Sequence, residues 1–398
     1  MLGLCGGPCG LDSAKNPSDV NQLAQDGNQF RSLFLKPVAR LQAELHHYAA
    51  GVRAELVMQL KRCRICAICL ILLAIPMQAW SMNGIGHGPG GIGVVTADPG
   101  GVYASTQAGL VEESRIIRDA ILARIRAALG QIGGTWVQGE AASVNLASGN
   151  GASSLHGNAS GAILGTDFAL FDSWQIGVAG GHWDGDAKFD AVGGKAKIGT
   201  DQLAVYGGRK TVWLDLRFGA AREWHSVDTV VAQAEGATSH DLMATTQVFA
   251  EIGHDFVVSD VDLQPFATLA WVRLDQDGFS NSAGTGTQSY LGRTTDIAFS
   301  DLGLLANWHP AGRDSSLTVN GTLGWEHALG AVTPHSVLLS YGAMVSTPGL
   351  SISRDAALIG AGLGVSLWPG WHLALRYDGV ISPNLTDQIF SAFVSRRF

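Results

Sequence analysis

Ten histidines follow Ala79 in this 398-residue chain, and with their acidic neighbours they are the groups most able to do chemistry. A zincin would need HExxH on one helix face, a serine hydrolase would carry Gly-x-Ser-x-Gly, and a nucleotide-binding enzyme would show a glycine-rich phosphate loop. None of these occurs. His240-Asp241 and His254-Asp255 have the composition of half a hydrolytic site. Neighbours in extended chain point to opposite faces, so neither pair can act as a dyad. Cys63, Cys66 and Cys69 have the spacing of a metal cluster but stand inside an apolar run, where a metal would find no folded cage. No catalytic residue, metal ligand or cofactor is expected. The function must therefore lie in the elements themselves.

From about Trp136 to Phe398 apolar and polar residues alternate. Trp371, Leu373, Leu375 and Tyr377 fall on one face, His372, Ala374, Arg376 and Asp378 on the other. Leu317, Val319, Leu323 and Trp325 oppose Thr318, Asn320, Thr322 and Glu326 in the same way, and Val212, Leu214, Leu216 and Phe218 oppose Asp215 and Arg217. Period two means strand. These runs are about ten residues or longer, the length a tilted strand needs to cross a bilayer with its apolar face to lipid. No stretch of about 20 apolar residues occurs, which excludes a multi-span helical membrane protein.

Short turn signals fall at Asp172-Ser173, 208–210, Ser259-Asp260, 309–314 and Pro369-Gly370. Each interval holds two strands and a longer loop, so five turns give twelve strands with both barrel ends in the periplasm. The expected fold is all-β, a twelve-stranded antiparallel transmembrane β-barrel over residues 134–398. Longer loops are expected near 147–157, 184–198, 227–240, 276–295, 329–352 and 382–386, all rich in small polar residues. Trp174, Trp213, Trp308, Trp368 and Trp371 stand beside short turns, as an interfacial aromatic girdle would.

Ahead of the barrel, Lys61, Arg62 and Arg64 precede an apolar run from Ile65, Pro76 ends it, and Ala79 and Ser81 are small. That is a signal peptide over 58–79. Met58 opens it, so residues 1–57 read as an over-extended start or a long leader. All five cysteines, Cys5 and Cys9 included, precede Ala79, and a thiol-free remainder suits an oxidising compartment. Eight of the 26 Lys/Arg and five of the 34 Asp/Glu are lost with residues 1–79, leaving a net charge of −11. An acid excess of that size argues against a nucleic-acid partner.

Residues 80–110 read as a glycine-rich linker or short passenger, flexible to about Gly101. From about Ser105 the apolar residues recur at helical spacing, and Gly130 is a fitting stop. A helix within 111–130 would run about 27 Å from Glu112 to Leu129, close to the apolar thickness of a barrel. It either threads the lumen, with Arg115, Arg118, Asp119, Arg124 and Arg126 meeting inward polar residues, or is an amphipathic linker on the periplasmic side. Its position directly before the first strand favours the lumen.

Several segments together resemble the C-terminal translocator barrel of bacterial autotransporters, the type V secretion family. They are Pro265-Phe266-Ala267 with Trp271-Val272-Arg273-Leu274-Asp275 and Asp277-Gly278-Phe279, Gly324-Trp325-Glu326-His327-Ala328-Leu329-Gly330, Arg354-Asp355-Ala356-Ala357-Leu358, Tyr377-Asp378-Gly379 and the terminal Phe398. The resemblance implies a monomeric barrel in the bacterial outer membrane with a helix in its pore. It also implies insertion by the barrel assembly machinery with periplasmic chaperones, outer-membrane lipid around the barrel, and export of an N-terminal passenger. Only a short stretch precedes the helix here, too little to bury a core, so the passenger is expected to be very short or missing. A porin-like or structural barrel and an outer-membrane hydrolase are the other two readings. In the last strand Phe390, Ala392, Val394 and Phe398 keep the apolar face of an insertion signal, whereas Arg396 stands where the family usually has an apolar or aromatic residue. Near the membrane edge a long Arg can snorkel. Deleting Phe398 should sharply reduce the heat-modifiable barrel recovered in washed outer membranes; an unchanged yield would refute the signal.

Overall fold

The computed structural model describes residues 99–129, 133–170, 173–284, 286–312 and 316–397. The expected leader, signal peptide and cysteines, most of the glycine-rich segment, and Phe398 lie outside the described residues. Two helical segments come first, α1 (Gly100–Glu113) and α2 (Arg115–Ala128). Twelve long strands follow, numbered here among all strands in chain order. They are β1 (Gly134–Leu146), β2 (Leu155–Leu170), β3 (Trp174–Phe189), β4 (Gly194–Lys210), β5 (Asp215–Val231), β6 (Ala237–Gly253), β8 (Val261–Gln276), β11 (Arg293–Trp308), β12 (Leu317–Gly330), β15 (Asp355–Trp368), β16 (Trp371–Ile381) and β17 (Leu385–Arg397). Short strands fill some connections: β7 (Phe256–Val258), the hairpin β9 (Phe279–Ala283) with β10 (Gly286–Tyr290), and the hairpin β13 (His335–Ser340) with β14 (Ala343–Pro348).

Each long strand pairs antiparallel with the next, and the ladder returns to its start. Gly134 lies opposite Asp167 on one side and Arg397 on the other, and Leu146 lies opposite Leu155 and Leu385. No long strand is left with an open edge, the condition for a sheet to sit in hydrocarbon.

The two faces of the wall are inverted relative to a soluble barrel. Leu164, Val205, Leu269, Leu323, Leu363 and Leu375 point outward and are exposed, while Gln138, Asp167, Gln247, Glu251, Thr268 and Glu326 point inward and are buried. Large inward rings are accommodated by glycines on neighbouring strands. A Cβ added at Gly165 would overlap the Trp136 ring, and one at Gly177 the Tyr206 ring. The Trp136 indole N–H of β1 donates to the Tyr206 hydroxyl of β4 at 2.8 Å, so the two rings span four strands, across Gly165 of β2 and Gly177 of β3.

Three expectations change. The β4–β5 turn is Thr211–Leu214 rather than 208–210, because the Thr211 hydroxyl gathers the backbone N–H groups of Trp213 and Leu214 at 3.3 and 3.0 Å. Val212 and Leu214 are therefore turn residues and not the start of β5. The loops expected at 184–198 and 227–240 shrink to 190–193 and 232–236. Strands of 16 or 17 residues, tilted as in a barrel, rise about 42 Å, well past a 25 Å apolar band. Their outer ends leave the lipid, so the outward positions carry Asp184, Asp186, Lys188 and Lys197 and look like loop. Finally, the helix begins at Gly100, ahead of the expected Ser105 or Val111, and breaks once at Ser114.

Replacing Gly165 with valine should push the Trp136 ring aside and cost about 1–3 kcal/mol, seen as a lower temperature of conversion from the folded to the unfolded gel band. An unchanged transition would show that the ring has room to move.

Candidate functional site

The helices fill the lumen. At the end bearing the long connections, α1 is gripped by both hairpins. Tyr103, fully buried, meets Phe279 and Tyr290 edge-on with ring centroids 4.9 and 4.8 Å away, and Asn281 donates to its hydroxyl at 3.2 Å. Gln107 donates to Gln276 at 2.8 Å, and the Ser336 hydroxyl donates to the Gly100 carbonyl at 2.8 Å. The small residues of α1 permit this closeness: a Cβ added at Gly349 would stand 2.5 Å from the Ala104 carbonyl carbon.

At mid-depth the helix breaks. The Ser114 hydroxyl bonds back to the Val111 carbonyl at 2.7 Å, and Gln247 of β6 donates to the Ser114 carbonyl at 2.7 Å. A wall side chain inserted into the carbonyl row is a sufficient cause for the interruption.

Below the break, four helix arginines meet wall carboxylates from strands around the circle. Arg115 lies 2.9 Å from Glu326 of β12 and 3.6 Å from Asp387 of β17, besides 2.9 Å from Glu112 on its own helix. Arg118 reaches Glu326 at 4.0 Å and lies over the Phe299 ring. Arg124 grips Asp167 of β2 through two bonds of 2.6 and 2.9 Å, with Gln175 and Tyr206 also donating to that carboxylate. Arg126 forms a two-bond pair with Glu251 of β6, which Arg217 approaches at 2.7 Å. Asp119 makes no ion pair with any described residue and faces a cavity. Partners on β2, β6, β12 and β17 place the helix inside the circle.

It is not central. Ile117, Ile121 and Ile125 pack among small inward residues such as Ala179, Ala204 and Ala221, and a Cβ at Gly208 would lie 2.8 Å from Ile125. The opposite side of α2 is left with a polar cavity of about 780 Å³, lined among others by Glu140, Asn320, His372, Arg376 and Asp378.

The adjacent His-Asp pairs do not converge. His240 points outward to Asp228 across the ladder at 2.8 Å, while Asp241 is buried inside. His182 with Asp201 and His327 with Asp355 are exposed cross-strand pairs of the same kind, each at 2.8 Å. The Ser154 hydroxyl of the β1–β2 loop and then the His156 ring at the start of β2 hold the carboxyl of Asp190, in the β3–β4 loop, below its ordinary pKa. His225 is buried between Thr200 and Thr245. Asp255 bonds to Lys210 at 2.7 Å and not to His254. Among the described residues no three His, Cys, Asp or Glu gather as a metal site.

Trp174 opens β3, Trp213 lies in the β4–β5 turn, Trp308 and Trp368 end β11 and β15, and Trp371 opens β16. All five therefore share the short-turn end. Sequence reading missed a second outward set, Trp224, Trp271 and Trp325. Trp271 stands ten residues along β8 from Val261, which faces Trp308, a separation of about 25 Å along the barrel axis. Parity could have found it, since Trp325 shares a face with Leu317 and Leu323. In the terminal strand Phe390 and Ala392 point outward, opposite Tyr377 and Leu375.

A sequence profile of the Autotransporter beta-domain matches residues 135–378. The chain belongs to the autotransporter family. An extracellular serine protease of Serratia marcescens is 28% identical over 319 residues, which cover 75% of this chain and 30% of that protein. The chain thus spans under a third of that curated relative. The translocator domain of the autotransporter NalP from Neisseria meningitidis superposes with a TM-score of 0.61 at 18% identity, covering 75% of this chain and 99% of that one. The β domain of the Bordetella autotransporter Brka gives 0.52 at 17% identity, covering 67% and 100%. The barrel is thus an autotransporter translocator domain, and the plugged lumen is its pore.

Breaking one of the buried helix-to-wall pairs should strand a charge. Asp167→Asn should cost about 3 kcal/mol and lower the unfolding temperature, and adding Arg124→Gln should recover part of the loss. Equal destabilisation by the single and double variants would show that Arg124 is held by something else.

Proposed function

We propose that this translocator delivers the chain upstream of Pro99 to the cell surface and anchors it there through the helix left in the pore. The observation that carries the reading is polarity. Gly100 is held by the hairpins of the long-connection end, whereas Ala128 leads to Gly134 at the short-turn end. In outer-membrane barrels short turns face the periplasm and long loops face outward. The polypeptide ahead of α1 therefore leaves on the outer side.

The apolar run at 58–79 serves as the export signal, with translation starting at Met58. The outward strip Phe390, Ala392 and Val394, completed by Phe398, serves as the insertion signal read by the assembly machinery, with chaperones holding the unfolded chain in the periplasm. Trp174, Trp213, Trp308, Trp368 and Trp371 form the inner girdle. The barrel works as a monomer without cofactor, metal or catalytic residue, and Arg115, Arg118, Arg124 and Arg126 hold the plug while Asp119 hydrates the cavity.

Fusing a small reporter directly ahead of Pro99, behind the signal sequence, tests this. Protease added to intact cells should remove the reporter and leave the barrel. A reporter cut only after the outer membrane is permeabilised would overturn the reading.

A further inference from the structure

Arg396, the residue at odds with an apolar terminal strand, points outward and lies directly opposite Trp371, with its guanidinium 5.5 Å from that ring's centroid. The same device occurs a second time. Trp174 opens β3 as Trp371 opens β16, Arg209 lies directly opposite, and its guanidinium is 5.4 Å from the ring. Neither arginine has a carboxylate within ion-pair distance among the described residues, and Arg209 makes only a 3.3 Å bond to the Ser173 hydroxyl. The ring engages one face of the guanidinium and leaves in-plane donors free, all of them on Arg396 and the two terminal nitrogens on Arg209, whose Nε donates to Ser173, a fork suited to a phosphate. Arg273 supplies the contrast: it too lies over a tryptophan, Trp271, but its donors are consumed by Asp296 at 2.9 and 3.0 Å. Beside Trp371 a groove of about 370 Å³ opens between Trp368, Pro369, Gly370 and Arg397. Both corners sit at the short-turn end, with the rings where acyl chains begin and the cations where headgroups lie.

We propose that Trp371–Arg396 and Trp174–Arg209 are two binding sites for the phosphate of anionic phospholipids in the periplasmic leaflet. The placement rests on the reading that the short turns face the periplasm. Were that orientation reversed, the same corners would meet lipopolysaccharide instead.

The full chain, purified from membranes, is offered phosphatidylglycerol, phosphatidylcholine, lipopolysaccharide or inorganic phosphate, and bound lipid is counted by native mass spectrometry. Two phosphatidylglycerols should be retained in preference to phosphatidylcholine. Arg396→Gln and Arg209→Gln should each remove one and weaken binding about fivefold, and the double variant should retain neither. Arg209 lies outside the terminal strand, so Arg209→Gln carries the test even if Arg396→Gln inserts poorly; heat-modifiability confirms the folded barrel. Equal retention by the double variant, or equal retention of phosphatidylcholine, overturns the proposal. So does displacement by millimolar inorganic phosphate, which would mark a phosphate site indifferent to lipid. A preference for lipopolysaccharide overturns the leaflet and with it the orientation, without touching the chemistry.

Discussion

Pairing between the first and last strands is the constraint from which the rest of the molecule follows. β1 is bonded along its length to β2 on one side and β17 on the other, so the wall has no edge. An unpaired row of peptide groups in hydrocarbon would cost several kcal/mol per group, far more than any side-chain contact returns. Closure fixes the number of strands in the circle, and period two then forces every outward position to be apolar or to lie beyond the lipid. The charged outer ends of β3, β4 and β5 and the tryptophans nearer the turns are two results of that rule.

A circle of twelve strands is too wide for inward side chains alone to fill, as they fill a barrel of eight. The helix supplies the missing core, and the wall is adapted to it unevenly. Small residues on β3, β4 and β5 let the isoleucines of α2 approach, while carboxylates on β2, β6, β12 and β17 receive its arginines. Because those carboxylates are buried, each is costly unless its cation is present. The ion pairs thus make the position of the helix specific more than they make it strong.

Alternation, short turns and the helix before the first strand could be read along the chain because each is set by neighbours a few residues apart. The strip Trp371, Leu373, Leu375, Tyr377 is decided by parity alone. What could not be read depends on contacts between distant positions. Arg124 meets Asp167 and Arg115 meets Glu326 only after closure, and nothing near Ser114 announces that Gln247 will take its carbonyl. The β4–β5 turn lies later than the apolar pattern implies because one hydroxyl, that of Thr211, outweighs a pattern that continues through it. The loops were overdrawn for the opposite reason: once a strand leaves the bilayer its outward residues become polar, and polarity alone does not separate an emerged strand from a loop.

The two ends of the helix are held by different kinds of contact, and this gives the molecule a mechanical order. A pull on the chain at Pro99 runs along the axis of α1 and loads first the ring of Tyr103, edge-on against the stacked rings of Phe279 and Tyr290, together with a few neutral hydrogen bonds. Only when these slip does tension pass the break at Ser114 and reach the ion pairs of Arg115, Arg124 and Arg126. The clasp at the mouth would be the first to give under such a load, and the charged anchors below it would set the force at which the tether is drawn from the barrel.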